Sequence, residues 1–281
     1  MHEIRKIDPL EIQASNALGS QFGISGQIHD NDFMYWFNHD NNSNIDGYNA
    51  SIDYMHSGRA LAHFLKDHLC VHPPSNNEFS LLDFASGYGR VSRWMNEAMP
   101  NAQVYASDIH QDAVNFMRSI GINAFKSSSK PNEFNSPCHF DVIFSVSFFT
   151  HLPKSTWGRW LKSLEEYLNP GGLLIFTTHG DPIWHALGSP AVDKEGFYFR
   201  PESEQKDLDV TEYGATYTSL EFVLTRAREV GLRVEGVRSP GTGLHDIVTL
   251  RKVDRSTFPP AYSRTAPLRS LKRKFLKRVL R

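Results

Sequence analysis

The chain has 281 residues, 40% of them apolar, and its 30 basic side chains nearly balance 31 acidic ones, for a formal charge of −1. Such a chain can bury a full core, which excludes general disorder and predicts one domain of roughly 200 to 250 residues with appendages. The charge is unevenly spread: residues 264–281 carry eight basic and no acidic side chains, which leaves −9 on the other 263.

The chain offers no feature of a secreted or membrane-spanning protein. No apolar run approaches the roughly 18 to 20 residues of a spanning helix, and residues 1–8 lack the apolar stretch of a signal peptide. Cys70 and Cys138 lie far apart and form no CxxC pair, so neither a disulfide framework nor a thiolate metal site is indicated. We expect a cytoplasmic protein.

Residues 1–72 are expected to form an N-terminal unit ahead of the main domain. It contains an aromatic run at 33–37, a polar loop at 39–44 and an amphipathic helix at 57–69. This unit is interpreted either as a cap or lid over a site, or as an extension that simply packs on the domain.

The segment from about 81 to 252 alternates short apolar runs with helical stretches, which is typical of a sheet with crossover helices. The predicted strands are 80–84, 103–107, 124–127, 140–145, 173–178, 233–238 and 246–251, and the predicted helices are 89–98, 111–120, 155–168 and 219–230. Only a short turn containing 240–243 joins the last two strands, so they should pair antiparallel. The predicted fold class is α/β: a doubly wound, mostly parallel seven-stranded sheet with an antiparallel terminal hairpin, within a domain at 73–253. Residues 181–217 are read as an irregular, aromatic-rich insertion on the substrate side.

The most informative segment is Leu81-Leu-Asp-Phe-Ala-Ser-Gly-Tyr-Gly-Arg90, an apolar strand that enters small residues and then a helix. Small residues let the backbone approach a ligand closely, and a helix N-terminus offers free N–H groups. Asp108 ends the next strand, where a carboxylate can accept both hydroxyls of a ribose. A dinucleotide-binding dehydrogenase would place a third glycine at position 92, which is a serine here. A tight turn that binds no ligand is the alternative.

These residues, with the terminal hairpin, resemble the class I S-adenosylmethionine-dependent methyltransferases, and 140–153 and 168–176 resemble that family's fourth strand and the turn into its fifth. The family's first motif is usually Asp-x-Gly-x-Gly-x-Gly; Asp83, Gly87 and Gly89 match it, and Ala85 replaces the first glycine. The resemblance implies a Rossmann-like methyltransferase fold and S-adenosylmethionine as cofactor.

The resemblance also implies a role for each matching position. Asp83 should approach the methionine part of the cofactor, with Ala85, Gly87 and Gly89 lining its pocket. Asp108 should bind the ribose and Ile109 the adenine face. Ser127 or Ser128 could reach the adenine edge. Ser145 is the last of the residues expected to bind the cofactor.

An oxygen acceptor needs a base to take its proton, and histidine is the usual choice near neutral pH. His151 and His179 follow the fourth and fifth predicted strands, at the edge where open α/β sheets bind ligands. Asp181 could orient the ring of His179, and His245 is a third candidate. For each histidine a structural role is an equally open interpretation.

Several acceptors and mechanisms are disfavoured. The stretch Ser145-Val-Ser-Phe-Phe149 lacks both the acidic ligands of metal-dependent relatives and the Asn/Asp-Pro-Pro-Tyr/Phe motif of DNA amino-methyltransferases. The acidic body disfavours nucleic acid, because phosphate contacts need Lys and Arg. We expect metal-free methyl transfer to a hydroxyl of a glycan or lipid-linked sugar. A soluble metabolite as acceptor, or a binding module without catalysis, are the alternatives.

Residues 254–281 form a basic tail. In it Leu268, Leu271, Phe275 and Val279 recur at helical spacing among Lys and Arg. A helix there would be too short to span a bilayer but suits its interface, so an anionic membrane surface is a possible partner. A solvated tail, or contact with a nucleic acid or a partner protein, remain open. Membrane binding favours an envelope glycan that the enzyme meets at the inner face of the membrane. A weaker support is the resemblance to methyltransferases that accompany glycosyltransferases, which rests on residues 54–58, 177–180 and 245–248.

Overall fold

A computed structural model describes residues 5–203, 205, 208–242 and 245–253. Its main element is a seven-stranded sheet in the order β3-β2-β1-β4-β5-β9-β8, and a second sheet pairs β6 with β7. The strands are β1 Phe79–Phe84, β2 Ala102–Asp108, β3 Asn123–Lys126, β4 Phe140–Ser145, β5 Leu168–Thr178, β6 Phe197–Arg200, β7 Ala215–Thr218, β8 Leu232–Thr242 and β9 His245–Lys252. The first five strands of the large sheet pair in parallel, whereas β9 is antiparallel to both β5 and β8. The predicted fold class is confirmed.

Helices cover both faces of the large sheet. They are α1 Pro9–Ser20, α2 Phe33–Asn42, α3 Ala50–Val71, α4 Ser92–Ala98, α5 Gln111–Ser119, α6 Lys154–Glu166, α7 Asp181–Ala186 and α8 Leu220–Glu229. Side chains alternate between the faces of a strand, so Leu81 packs with α3 and α4 whereas Leu82 packs with α6. None of the described helices is both long and apolar enough to cross a membrane.

The N-terminal region is more regular than the sequence suggested. The aromatic run at 33–37 and the start of the polar loop form α2, whose first turn is capped by the Asp32 carboxylate. Helix α3 begins at Ala50, seven residues before the predicted start, because the Asn49 side chain caps it there. The boundaries of the N-terminal unit as a domain stay a prediction.

Three other expectations about the elements were wrong. The stretch 181–217 is not irregular, since it contains α7 and the hairpin of β6 and β7. The predicted helix 155–168 ends at Glu166, because Leu168 already pairs with Phe140 in the sheet. Pro240 and Gly241, predicted to form a turn, lie inside β8, whose register shifts between Arg238 and Thr242. The basic tail lies outside the described residues.

The order of strands fixes where a ligand can bind. From β1 the chain passes to β2 on one side of the strand, whereas β4 pairs with β1 on the other side. In open α/β sheets a crevice forms at such a reversal, outside the carboxyl ends of the strands. The glycine loop follows the carboxyl end of β1, so it lies at this crevice.

Candidate active site

The loop after β1 has a backbone that favours glycine. Ala85, Gly87 and Gly89 all have positive φ, at 57°, 58° and 75°. A Cβ on Gly87 would meet no heavy atom within 4 Å, so the space in front of this residue is open. A Cβ on Gly89 would lie 3.0 Å from the Met117 side chain, so that glycine serves packing. The loop therefore presents bare backbone to the crevice at Gly87.

Asp83 lies buried at the end of β1, directly below this loop. Its carboxylate accepts a hydrogen bond from Ser92 Oγ at 2.5 Å. Burial raises the pKa of Asp83 to about 7, and the bond from Ser92 and the nearby Arg90 charge only partly offset that effect. A cation that approached this carboxylate would favour its ionised form.

Asp108 lies buried at the end of β2 and is joined directly to the loop. Its carboxylate accepts hydrogen bonds from the backbone N–H of Gly87 at 2.9 Å and of His110 at 3.0 Å. The His110 ring Nδ1 is also 3.0 Å from it. The structure thus brings the two predicted acids to the ends of adjacent strands, on either side of the glycine loop.

The serines proposed for the cofactor differ in their surroundings. Ser127 Oγ is buried and has no hydrogen-bond partner among the described residues, while the Ser127 N–H donates to the Asp108 carbonyl at 2.8 Å. Ser128 Oγ instead donates to Glu133 at 3.3 Å. Ser145 Oγ donates to the Phe84 carbonyl at 3.1 Å, which ties β4 to β1. Of the two adenine-edge candidates, Ser127 is therefore the one whose hydroxyl has unused hydrogen-bonding capacity, and Ile109 is half-buried.

The N-terminal segment packs on the glycine loop, a contact that no residue-level pattern in the sequence predicts. Arg93 donates to the backbone carbonyls of Ser25 and Gln27, at 3.2 and 2.7 Å. The His29 ring stacks on Tyr88 of the loop with centroids 4.7 Å apart. The N-terminal unit therefore contacts the glycine loop directly, which is compatible with a cap and with an extension that simply packs on the domain.

Three histidines lie close together: His151 in the loop that follows β4, His179 directly after β5 and His245 at the start of β9. The His151 and His179 ring centroids are 6.2 Å apart, and those of His179 and His245 are 4.8 Å apart. Tyr213 stacks on His151 at 4.4 Å. The structure thus brings the three predicted base candidates together, with His179 in the middle.

Backbone carbonyls of β7 and of the residue just before it orient two of these rings. His151 Nδ1 is 2.7 Å from the Gly214 carbonyl oxygen, and His179 Nδ1 is 3.0 Å from that of Thr216. A carbonyl only accepts, so each Nδ1 carries the proton and Nε2 keeps a free lone pair. Burial lowers the pKa of His151 to about 4 and of His179 to about 3, and it also lowers that of His245. All three rings are therefore neutral at pH 7.

Asp181 does not orient His179, contrary to the prediction. Its carboxylate accepts a hydrogen bond from the Tyr217 hydroxyl at 3.0 Å, and the Thr216 carbonyl takes the orienting position. The reason is the unpredicted strand β7, which places a backbone acceptor closer to the ring. Within the described part of the chain, no group of three or more His, Cys, Asp or Glu side chains is arranged to hold a metal ion.

Comparisons with known proteins agree with this geometry. Residues 82–174 match a family model described as a methyltransferase domain. No curated protein sequence matches the chain. Among solved structures, an S-adenosylmethionine-dependent methyltransferase from Clostridium acetobutylicum has a TM-score of 0.53 at 13% identity, with 80% of this chain and 99% of that one covered.

Two further structures are similar in fold. One is an S-adenosylmethionine-dependent methyltransferase from Mesorhizobium loti, with a TM-score of 0.50, 17% identity, and 66% of this chain and 96% of that one covered. The other is an S-adenosylmethionine-bound amino pentose methyltransferase from Micromonospora echinaspora, with a TM-score of 0.51, 14% identity, and coverage of 70% and 92%.

The chain is a methyltransferase, and S-adenosylmethionine is its cofactor. The described residues fit that molecule: Gly87 faces open space, Asp83 and Asp108 flank the loop, and the buried Ser127 Oγ has an unused hydrogen-bonding capacity. When bound, the cofactor supplies a methyl group on a positively charged sulfur.

Proposed function

We propose that the enzyme methylates a hydroxyl of a sugar or related small acceptor, with His179 as the general base. The observation that carries this proposal is the fixed tautomer of His179, whose Nδ1 is held by the Thr216 carbonyl at 3.0 Å. That arrangement directs a lone pair from Nε2, the atom that a base needs. His151 has the same arrangement with Gly214 and is the second candidate.

The chemistry follows from the state of the ring. A hydroxyl is a poor nucleophile until its proton leaves, and a neutral imidazole can accept that proton as the new O–CH₃ bond forms. Burial lowers the pKa of His179 to about 3, so the ring is neutral at pH 7 and can accept a proton, although the same shift makes it a weaker base. Positioning of donor and acceptor then supplies much of the remaining rate enhancement.

Aromatic side chains around the histidines support a sugar or another flat, polar acceptor. Tyr213 stacks on His151, and Trp184 stacks on Tyr217 with centroids 5.5 Å apart. These rings lie in the segment that follows β5, next to the base candidates. The amino pentose methyltransferase from Micromonospora echinaspora, which has a similar fold, is a precedent for a sugar acceptor.

We further propose that the acceptor belongs to an envelope glycan or a lipid-linked sugar. The support is the basic segment 264–281, whose charge of +8 and apolar periodicity suit an anionic membrane surface. A soluble metabolite is the second candidate acceptor, and the same histidines would serve it.

The test is transfer of a labelled methyl group from S-adenosylmethionine into envelope glycan extracts and, in parallel, into a soluble metabolite extract. On the labelled acceptor, we expect His179→Gln to lower kcat by about 10²- to 10⁴-fold, the usual contribution of a general base. The matched control is His185→Gln, because His185 is exposed and its ring contacts Ser189 Oγ, at 3.2 Å, and the neighbouring Trp184 ring, but none of the three clustered histidines. Wild-type turnover in both His179→Gln and His151→Gln would contradict the role of the histidines.

A further inference from the structure

A second cleft lies between the C-terminal half of α3 and the edge strand β8, with a volume of about 660 Å³. Strands β4, β5 and β9 separate β8 from β1 and its glycine loop. None of the residues assigned to the cofactor or to the acceptor lines this cleft. It is therefore a separate feature of the molecule.

One wall of the cleft is a stripe on α3. Phe64 and His68 are four residues apart on one face of α3, and His72 follows four residues later, just past the end of the helix. The Phe64 and His68 rings are stacked with centroids 5.8 Å apart, and those of His68 and His72 are 4.9 Å apart. His68 Nε2 is 2.7 Å from Thr249 Oγ1, which holds the ring in place.

The opposite wall is β8, and it brings an arginine to this stripe. The Arg238 guanidinium carbon lies 5.8 Å from the Phe64 ring centroid. Within the described residues no carboxylate forms a salt bridge with Arg238. Gly236 lets the strand approach closely, because a Cβ there would lie 3.2 Å from the His72 ring. A glycine inside a strand has a conformational cost, and here it makes room for this ring.

The cleft places one arginine and the rings of His68 and His72 around a single carboxylate. Glu97 lies outside it and pairs with His63, so Asp67 is the one carboxylate that lines the cleft. Burial, together with the neighbouring His72 and Arg238, lowers the pKa of His68 to about 4. An anion bound between these groups would favour the protonated form of the ring and so raise the pKa of His68.

We propose that this cleft binds the phosphate group of a small phosphorylated molecule. The Arg238 guanidinium presents a planar fork of donors that matches phosphate oxygens, and the His72 ring adds a donor from the other wall. Phe64, Val71 and Val237 would contact the apolar part of the same molecule. The proposal does not depend on which acceptor the enzyme methylates.

The test is calorimetric titration of the full chain with phenyl phosphate and, separately, with inorganic phosphate. We expect wild type to bind phenyl phosphate more tightly than phosphate, because the cleft is partly apolar. Arg238→Gln should weaken binding by about tenfold or more, the effect of losing a charge-assisted bond. Arg233→Gln is the matched control, because Arg233 lies on the same strand but pairs with Glu235 and does not line the cleft.

The proposal would be overturned if wild type showed no binding of phenyl phosphate up to about 10 mM, because any weaker binding would not be specific. Equal affinity in Arg238→Gln and Arg233→Gln would overturn it too, since binding would then be a general surface effect. Each variant is first checked for unchanged S-adenosylhomocysteine affinity, which shows that it is folded and keeps this test separate from the methylation assay. Should Arg238→Gln fail that check, His72→Gln decides by the same criteria.

Discussion

The backbone N–H of Gly87 donates a hydrogen bond to the Asp108 carboxylate at 2.9 Å, which joins the glycine loop to the end of β2. The same carboxylate is the expected partner of the cofactor ribose, so one side chain both orders the loop and binds the ligand. Asp108→Ala should therefore weaken S-adenosylhomocysteine binding by about 10- to 100-fold, as expected for lost hydrogen bonds to a charged group. Calorimetry measures the change, with Asp209→Ala as control because that exposed carboxylate contacts only Thr211. Equal affinities of the two variants would contradict the assignment.

The large sheet and the glycine loop were predictable because they depend on local patterns. Strands buried on both faces appear as apolar runs, and positions with positive φ favour glycine, as at Gly87 and Gly89. Asp83 and Asp108 end adjacent strands, so the order of elements alone brings them together.

Contacts that depend on backbone groups from distant segments were not predictable. The His179 ring is oriented by the Thr216 carbonyl, and no side-chain pattern encodes which carbonyl will lie there. Strand β7 itself had a usable signal, since Ala215-Thr-Tyr-Thr218 is rich in residues with high β-propensity. Helix α1 likewise begins with Asp8-Pro9, a capping residue followed by proline at the first helical position.

Helix α3 touches the cofactor loop at Gly58, where a Cβ would lie 2.1 Å from the Arg90 carbonyl oxygen. Gly58→Ala must therefore push α3 away from the loop, and we expect the free energy of unfolding to fall by about 1 to 3 kcal/mol, as for overpacked sites. Gly158→Ala in α6 is the matched control. Its Cβ would lie 3.5 Å from the Arg226 side chain, so it should gain about 0.5 to 1 kcal/mol from helix propensity. Urea unfolding measures both, and a Gly58→Ala chain as stable as wild type would contradict the close contact.

Asp83 makes the stability of the ligand-free enzyme depend on pH. Burial raises the pKa of its carboxyl to about 7, above the unfolded value of 3.8, so the folded state binds the extra proton between these values. The contribution of this group to stability is thus present at low pH and is lost as pH rises through about 7. Asp83→Asn removes this dependence of stability on pH. The free energy of unfolding of the variant minus that of wild type should therefore increase from pH 4 to pH 8, by at most about 1.4 kcal/mol per pH unit.

The same substitution should weaken S-adenosylmethionine binding, because an amide cannot offer a negative charge to a cationic ligand. Urea unfolding at a series of pH values and calorimetry at pH 8 give the two readouts, with Asp209→Asn as the exposed control. A stability difference that does not change with pH would mean that Asp83 is ionised throughout.

The basic segment 264–281 predicts binding to anionic membranes that a shorter chain should lose. Each basic side chain near an anionic surface contributes about 1 kcal/mol, and eight of them, with Leu271 and Phe275 on an apolar stripe, should hold the enzyme on vesicles. We expect the full chain to sediment with phosphatidylserine-containing liposomes at low salt, and a chain ending at Thr257 to stay in solution. Neutral liposomes and added salt should both release the full chain, because the attraction is electrostatic and screened. Equal sedimentation of the two chains would remove the membrane as a partner, and with it the main support for a lipid-linked acceptor over a soluble one.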